Sequence, residues 1–225
     1  MPSRFTTITA AAALGAVIIG GYLAVQAVTA PTGAEAGTRP AAEMTPGGLV
    51  QGPSAVVAEN PDGDVTVIEY FDYQCPICRR VHPDLKRLAE EDEGVRIVHK
   101  HWPVFGAASI YASKLALAAR WQDRYREVHD ALMRLPGKLD EERVREAARS
   151  AGLDIDKAEK DLDQRADEVE AVFDEAAIQA HSLQFQGTPS FVIGNYLVPG
   201  GIDYATMRRV VKDVRDQKRE AEETQ

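Results

Sequence analysis

Only two of the 225 residues are cysteine, Cys75 and Cys78. With no other thiol, no second internal disulfide can form, so a disulfide-stapled scaffold is excluded. Basic residues are in deficit, 26 Lys and Arg against 35 Asp and Glu, and the net charge of −9 argues against nucleic acid or anionic lipid as a main partner. No internal repeat is evident, which removes solenoids and arrays. Arg79 stands where a CxxCH haem-attachment motif requires histidine, so c-type haem is excluded too. The chain is not short of core material. With 44% hydrophobic residues it can bury a full core without metals or staples, as one domain with an insertion or as two small ones.

Charge is almost missing from the N-terminus, where Arg4 is the only charged residue before Glu35. Ile8 to Val28 is mostly Ala, Val, Ile, Leu and Gly, longer than a secretory core of about 7–15 residues and close to the ~20 that span a bilayer. Residues 1–30 therefore read as a signal anchor, or as a signal peptide cleaved near Val25-Gln26-Ala27 or Ala34-Glu35-Ala36. Either exports the remainder, because the single N-terminal arginine prefers the cytoplasmic side. Residues 31–62, with Pro31, Pro40, Pro46, Pro53 and Pro61, read as a linker with little structure of its own.

Val65 to Phe71 alternates as a strand, and Cys75-Pro76-Ile77-Cys78 follows it directly. Cys78, Val81, Leu85 and Leu88 recur at steps of three and four, which predicts a helix over about 75–91, bent near Pro83. A disulfide closing so small a loop stabilises a fold by only roughly 2 kcal/mol, against about 4.7 for a 100-residue loop. A chemical role explains the pair better: a helix N-terminus favours a thiolate, the form that attacks disulfides. Cys75 is expected exposed at the helix tip, with Cys78 one turn deeper. Glu69 shares a strand face with Val65, Val67 and Phe71, so burial would raise its pKa and suit it to carry a proton to or from Cys78, unless it escapes to solvent at a strand edge.

Val95 to Lys100 reads as a second strand. From about 107 to 183 the pattern is helical, with breaks at Asp123, Pro136-Gly137 and Gly152. Phe191-Val192-Ile193, Gly194-Asn195 and Tyr196-Leu197-Val198 make a hairpin, and a last helix starts at Asp203 as N-cap, burying Tyr204, Met207, Val210, Val211 and Val214. His82 reads as a surface or packed histidine. A metal held by Cys75, Cys78 and His82 lacks a dependable fourth ligand, so no metal is expected. His99 and His101 flank the end of the second strand near the active face. Trp102, Phe105 and Trp121 read as packing residues, and Arg79 and Arg80 as solvated helix positions able to steady a thiolate.

The segment Phe71-Asp72-Tyr73-Gln74-Cys75-Pro76-Ile77-Cys78-Arg79-Arg80 resembles the active site of DsbA-like thiol:disulfide oxidoreductases of the thioredoxin superfamily. Gly187-Thr188-Pro189-Ser190-Phe191 resembles their cis-proline loop. The resemblance covers roughly residues 60–217. It implies an α/β thioredoxin-like fold with an inserted helical domain, preceded by an N-terminal hydrophobic helix: residues 63–104 and 185–217 form the thioredoxin-like part, 105–184 the insertion and 218–225 a polar tail. It also implies Cys75 as nucleophile, Cys78 as resolving thiol and Pro189 in cis facing them. The substrate would lie along Gly187, Thr188, Pro76 and Ile77, and the family often has an acid where Glu69 stands. Ile77 departs from strongly oxidising relatives, which carry histidine there, and this implies a more moderate oxidant.

The expected function is an exported thiol:disulfide oxidoreductase, a dithiol oxidase acting on cysteine-containing secreted polypeptides. No cofactor is needed, and a quinone-linked membrane partner would reoxidise it. A monomer, periplasmic or otherwise extracytoplasmic and anchored through the N-terminal helix, fits this. A reductase or isomerase using the same site, or a non-catalytic adaptor or metallochaperone, remains an alternative reading of the residues.

Overall fold

In a computed structural model the described residues are 45–224, so residues 1–30, expected to be a signal anchor or signal peptide, and the first part of the proline-rich segment lie outside them. A short helix α1 (Pro46–Leu49) precedes strand β1 (Val56–Glu59). Then come β2 (Val65–Phe71), α2 (Pro76–Glu91) and β3 (Val95–His101). Five helices follow: α3 (Ala107–Ala119), α4 (Tyr125–Met133), α5 (Glu141–Ser150), α6 (Ile155–Gln164) and α7 (Ala166–Ser182). The hairpin β4 (Ser190–Ile193) and β5 (Tyr196–Pro199) and the helix α8 (Tyr204–Glu223) complete the chain. The five strands form one sheet in the order β1-β3-β2-β4-β5, with β2 and β3 parallel and every other pair antiparallel. This is the thioredoxin-like α/β fold, its sheet split in sequence by the helical insertion.

Alternation along β2 separates two cores. Val65, Val67 and Phe71 face α2, α8 and the inserted helices, while Ile68 and Tyr70 face the other way, toward Leu49, Trp102, Ala180 and Phe185. The expected helix breaks coincide with backbone that cannot continue a helix. Asp123 and Gly152 have φ of 54° and 90°, a region glycine enters freely and aspartate more readily than most residues. Asp140, Asp154 and Asp203 then cap α5, α6 and α8 by accepting from the amides of Arg143, Lys157 and Thr206.

One expectation needs correction. The segment 31–62 is not featureless where it is described, because α1 and β1 lie within it. Leu49 is fully buried, β1 pairs with β3, and the buried Lys100 ammonium donates to Ser54 Oγ over 2.7 Å. The polar tail 218–225 continues α8 as far as Glu223, with ion pairs spaced three and four apart, such as Lys212–Asp216 and Arg219–Asp216, along the exposed end of the helix. Helix α2 runs from Pro76 to Glu91 with Pro83 inside it, over the span that the apolar spacing predicts.

Candidate active site

Glu69 sits in the middle of the sheet rather than at an edge. Its Cα pairs with His99 across the β2–β3 ladder and with Phe191 across the β2–β4 ladder. The side chain is wholly buried, and neither carboxyl oxygen has a hydrogen-bond partner within the described residues. Burial, then the neighbouring Cys75 charge, pushes its pKa up to about 8.

The chain leaves β2 into a turn held by Asp72. Its Oδ1 accepts from the Gln74 amide at 2.6 Å, and its Oδ2 accepts from the Val104 and Phe105 amides at 2.7 and 3.0 Å. One buried carboxylate thus fastens the loop before the cysteines to the loop after β3. Gln74 extends the fastening by donating to the Phe105 carbonyl at 2.9 Å and accepting from the Leu139 amide at 3.0 Å. Arg79 donates to the Tyr73 carbonyl and to the Gly137 carbonyl, both at 2.6 Å, and so clamps this turn to the insertion. None of these roles was evident from sequence, although Asp72, Gln74 and Arg79 stand inside the motif itself.

Cys75 is the N-cap of α2, with Pro76 in the first turn where a missing N–H costs nothing. The Cys78 amide donates to Cys75 Sγ over 3.3 Å. Hydrogen bonding from the Cys78 side chain, together with the backbone amides of Cys78 and Ile77, outweighs burial and brings the Cys75 pKa down to about 6. Cys78 moves the opposite way. It is fully buried, and desolvation, then the Cys75 sulfur and the Glu69 charge, pushes its thiol up strongly. Both cysteines are free thiols.

The expectation of an exposed Cys75 is corrected: the residue is only 1% exposed. The Thr188–Pro189 peptide is cis, and the Thr188 carbonyl accepts from Cys75 Sγ at 3.2 Å, so the loop carrying Gly187, Thr188 and Pro189 lies against the sulfur. Gly201 packs beside Ile77 and Pro189, where a Cβ would stand 2.7 Å from Ile77 Cγ2. Ile77 itself is partly exposed. So are Val104 and Phe105, which places Phe105 on the rim rather than in the packing role expected of it. Trp102 is buried as expected. The expected site residues therefore meet at one end of the sheet, with Cys75, Pro76, Ile77, Thr188 and Pro189 outermost and Cys78 and Glu69 beneath.

Four histidines gather behind Glu69, a grouping that sequence order hides. His99 Nε2 lies 3.9 Å from Glu69 Oε2, and its ring stacks on His129 with centroids 4.1 Å apart. His99 Nδ1 and His101 Nε2 both meet the Tyr125 hydroxyl, at 3.1 and 3.0 Å. His82 turns to Asp130 at 3.1 Å. Among the described residues, no group of three or more His, Cys, Asp or Glu side chains is arranged to hold a metal ion, and no helix is long and apolar enough to cross a membrane.

Residues 66–212 match the family described as DSBA-like thioredoxin domain. A thiol:disulfide interchange protein DsbA from Bordetella pertussis is 27% identical over 93% of this chain and 94% of its own. A thioredoxin-like oxidoreductase from Silicibacter pomeroyi superposes with a TM-score of 0.70 at 42% identity, covering 73% of this chain and 94% of that one. The thiol-disulfide exchange protein α-DsbA2 of Wolbachia pipientis superposes with a TM-score of 0.67 at 25% identity, covering 71% and 87%. The Na(+)/H(+) antiporter NhaA 1 of Salinispora arenicola is 30% identical over 59% of this chain. The match spans only 20% of the antiporter, about a fifth of its length.

Proposed function

We propose, for a chain that belongs to the DSBA-like thioredoxin domain family of thiol:disulfide oxidoreductases, a dithiol oxidase that transfers the Cys75–Cys78 disulfide to cysteine-containing polypeptides. The observation that carries this reading is the opposed pair of environments: a helix cap that favours the Cys75 thiolate and a buried site that holds Cys78 as a thiol. A substrate thiolate attacks Cys75 Sγ, and the bond to Cys78 breaks. Cys78 leaves as a thiolate and takes up a proton, for which Glu69 is the nearby buried acid. A second substrate thiolate then attacks the mixed disulfide and Cys75 leaves as a thiolate, a good leaving group because of its low pKa.

The same stabilisation supports the oxidising direction. With a Cys75 pKa of about 6, the reduced form gains about 1.4 kcal/mol at pH 7 over one with an ordinary thiol, or about 30 mV toward an oxidant. The Ile77 side chain adds no hydrogen bond to this, so the oxidant is a moderate one. The Thr188 backbone and the exposed Ile77, Val104 and Phe105 support an extended, partly apolar polypeptide as substrate. Pro76 and Gly187 flank that track. The leader-like residues 1–30 support an extracytoplasmic location with or without a retained anchor, where a quinone-linked membrane partner would reoxidise the monomeric enzyme.

Oxidation of a reduced two-cysteine peptide by the purified disulfide form tests the reading. Turnover that disappears in Cys75→Ser, with a peptide adduct trapped on Cys75 in Cys78→Ala, supports it. Peptide oxidation indifferent to Cys75→Ser would refute it, and a potential as reducing as that of thioredoxin would reject the oxidase direction.

A further inference from the structure

Glu69 can serve Cys78 only if its own proton can come and go, yet it is sealed inside the sheet. Its neighbours suggest how. His99, the residue facing it across the β2–β3 ladder, also lines a small cavity of about 20 Å³ between β1, β3, α2 and α4. Tyr125, His82, His129 and Asp130 line the same cavity. A space of about 10–15 Å³ suffices for one water where polar partners surround it. One such partner waits there, since His129 Nε2 is buried with no hydrogen-bond partner among the described residues while His129 Nδ1 is occupied by the Tyr73 hydroxyl at 2.9 Å. On the outer side Asp130 is partly exposed and accepts from His82 and from Lys86.

We propose that His99 and Tyr125, through one water held in the cavity beside His129, carry protons between Glu69 and solvent at Asp130. The inference rests on the reading of Glu69 as the proton partner of Cys78. For an outward transfer, Glu69 gives its O–H proton to His99 Nε2. His99 releases the proton on Nδ1 to the Tyr125 oxygen, and the Tyr125 hydroxyl proton passes to the water and on to the Asp130 carboxylate or bulk solvent. Each N–H or O–H bond that forms is matched by one that breaks, and only the charge moves. The disulfide cycle resets the tautomers: Cys78 takes up a proton when it leaves a disulfide and gives one up when it attacks, so inward and outward transfers alternate.

The surroundings suit neutral carriers. Burial brings the His99 pKa down to about 3 and holds His101 and His129 well below the usual range, while it raises Tyr125 and Tyr73. No resting imidazolium or tyrosinate is involved. The titratable and charged groups facing the cluster are Tyr73 and Cys75 before α2, Cys78, His82 and Lys86 on it, Arg120 between α3 and α4, Arg126 and Asp130 on α4, and Glu59 from β1; β4 presents Phe191, which does not titrate. His99, Tyr125 and His129 make no hydrogen bond to either sulfur among the described residues, and so act on Cys78 through Glu69.

The test loads Cys75 with thionitrobenzoate and follows its expulsion by Cys78 at 412 nm, across pH and in D2O. Tyr125→Phe keeps the ring and removes only the hydroxyl; His99→Phe is its companion, with near-ultraviolet circular dichroism confirming each fold. The expected result is expulsion slowed by about tenfold in Tyr125→Phe below pH 8, closing at pH 10, with Glu69→Gln slowed similarly and the double variant no slower than Glu69→Gln alone. A slow Glu69→Gln beside wild-type rates in both Tyr125→Phe and His99→Phe would overturn the relay and leave Glu69 its role. A wild-type rate in Glu69→Gln would overturn that role and the relay with it. A loss in Tyr125→Phe that is the same at every pH would also overturn the relay, marking a structural effect.

Discussion

The Cys78 amide donates to the sulfur of Cys75 across 3.3 Å, so the second cysteine of the pair helps to stabilise a thiolate on the first. A helix cap supplied by a sulfur is unusual chemistry for a site that ordinarily takes Ser, Thr, Asp or Asn, and its benefit is greatest when the sulfur is charged. Thiolate absorbance at 240 nm in the reduced protein should therefore rise with a midpoint at pH of about 6, and Cys75→Ser should abolish that rise. A folded pKa lower than the unfolded one also means stability gained as pH increases. Reduced protein should gain stability over oxidised protein as pH rises from about 6 to about 9, and lose that gain as pH falls back through 6. A midpoint near 9 would contradict the cap.

Glu69 has the opposite sign. Its folded pKa of about 8 exceeds the unfolded value, so the unfolded chain sheds this proton first and stability declines as pH rises from about 4.5 to about 8. In the oxidised protein, where neither thiol titrates, Glu69→Gln should be more stable than wild type at pH 9. The advantage should exceed that at pH 4 by on the order of 3–5 kcal/mol. Urea unfolding at the two pH values measures it. Equal differences at both would mean that Glu69 ionises freely.

Asp72 makes a structural prediction beside the chemistry. Asp72→Ala leaves three backbone amides, of Gln74, Val104 and Phe105, without their acceptor. The expected cost is about 2–4 kcal/mol in urea unfolding, with Asp72→Asn recovering part of it. Loosening the turn should also raise the Cys75 thiolate midpoint, because the turn sets where α2 begins. Unchanged stability in Asp72→Ala would show that water replaces the carboxylate at no cost.

What could be read from the chain was local. Alternation placed β2 and put Glu69 on its inner face, period 3.6 gave α2, and Gly194-Asn195 between two short apolar runs marked the β4–β5 turn. Strand β1 escaped because Val56–Glu59 is only four residues in a proline-bounded stretch and gains its order from pairing with β3, some forty residues on. The buried position of Cys75 escaped because what lies against it, the Thr188 carbonyl, is 113 residues away in sequence. Tyr125 and His129 could not be assigned to the site for a related reason. They lie on an inserted helix whose placement against β3 and α2 follows from packing, and no periodic signal within α4 points to Glu69.

Ile77 is where the sequence leaves room to move the chemistry. It stands between the cysteines, partly exposed, and its aliphatic side chain offers the Cys75 sulfur nothing to bond. An imidazole there would add a donor to those from Cys78 and the backbone, stabilising the thiolate and hence the reduced form. Ile77→His should then lower the Cys75 midpoint below about 6 and raise the reduction potential by about 30 mV, a tenfold shift in the equilibrium with glutathione. Both quantities come from one protein preparation, one by absorbance and one by quenched equilibrium with glutathione. They must move together if thiolate stabilisation governs the oxidising power. A lowered midpoint with an unchanged potential would mean that the disulfide form gains equally from the new side chain, and that the potential is set elsewhere in the fold.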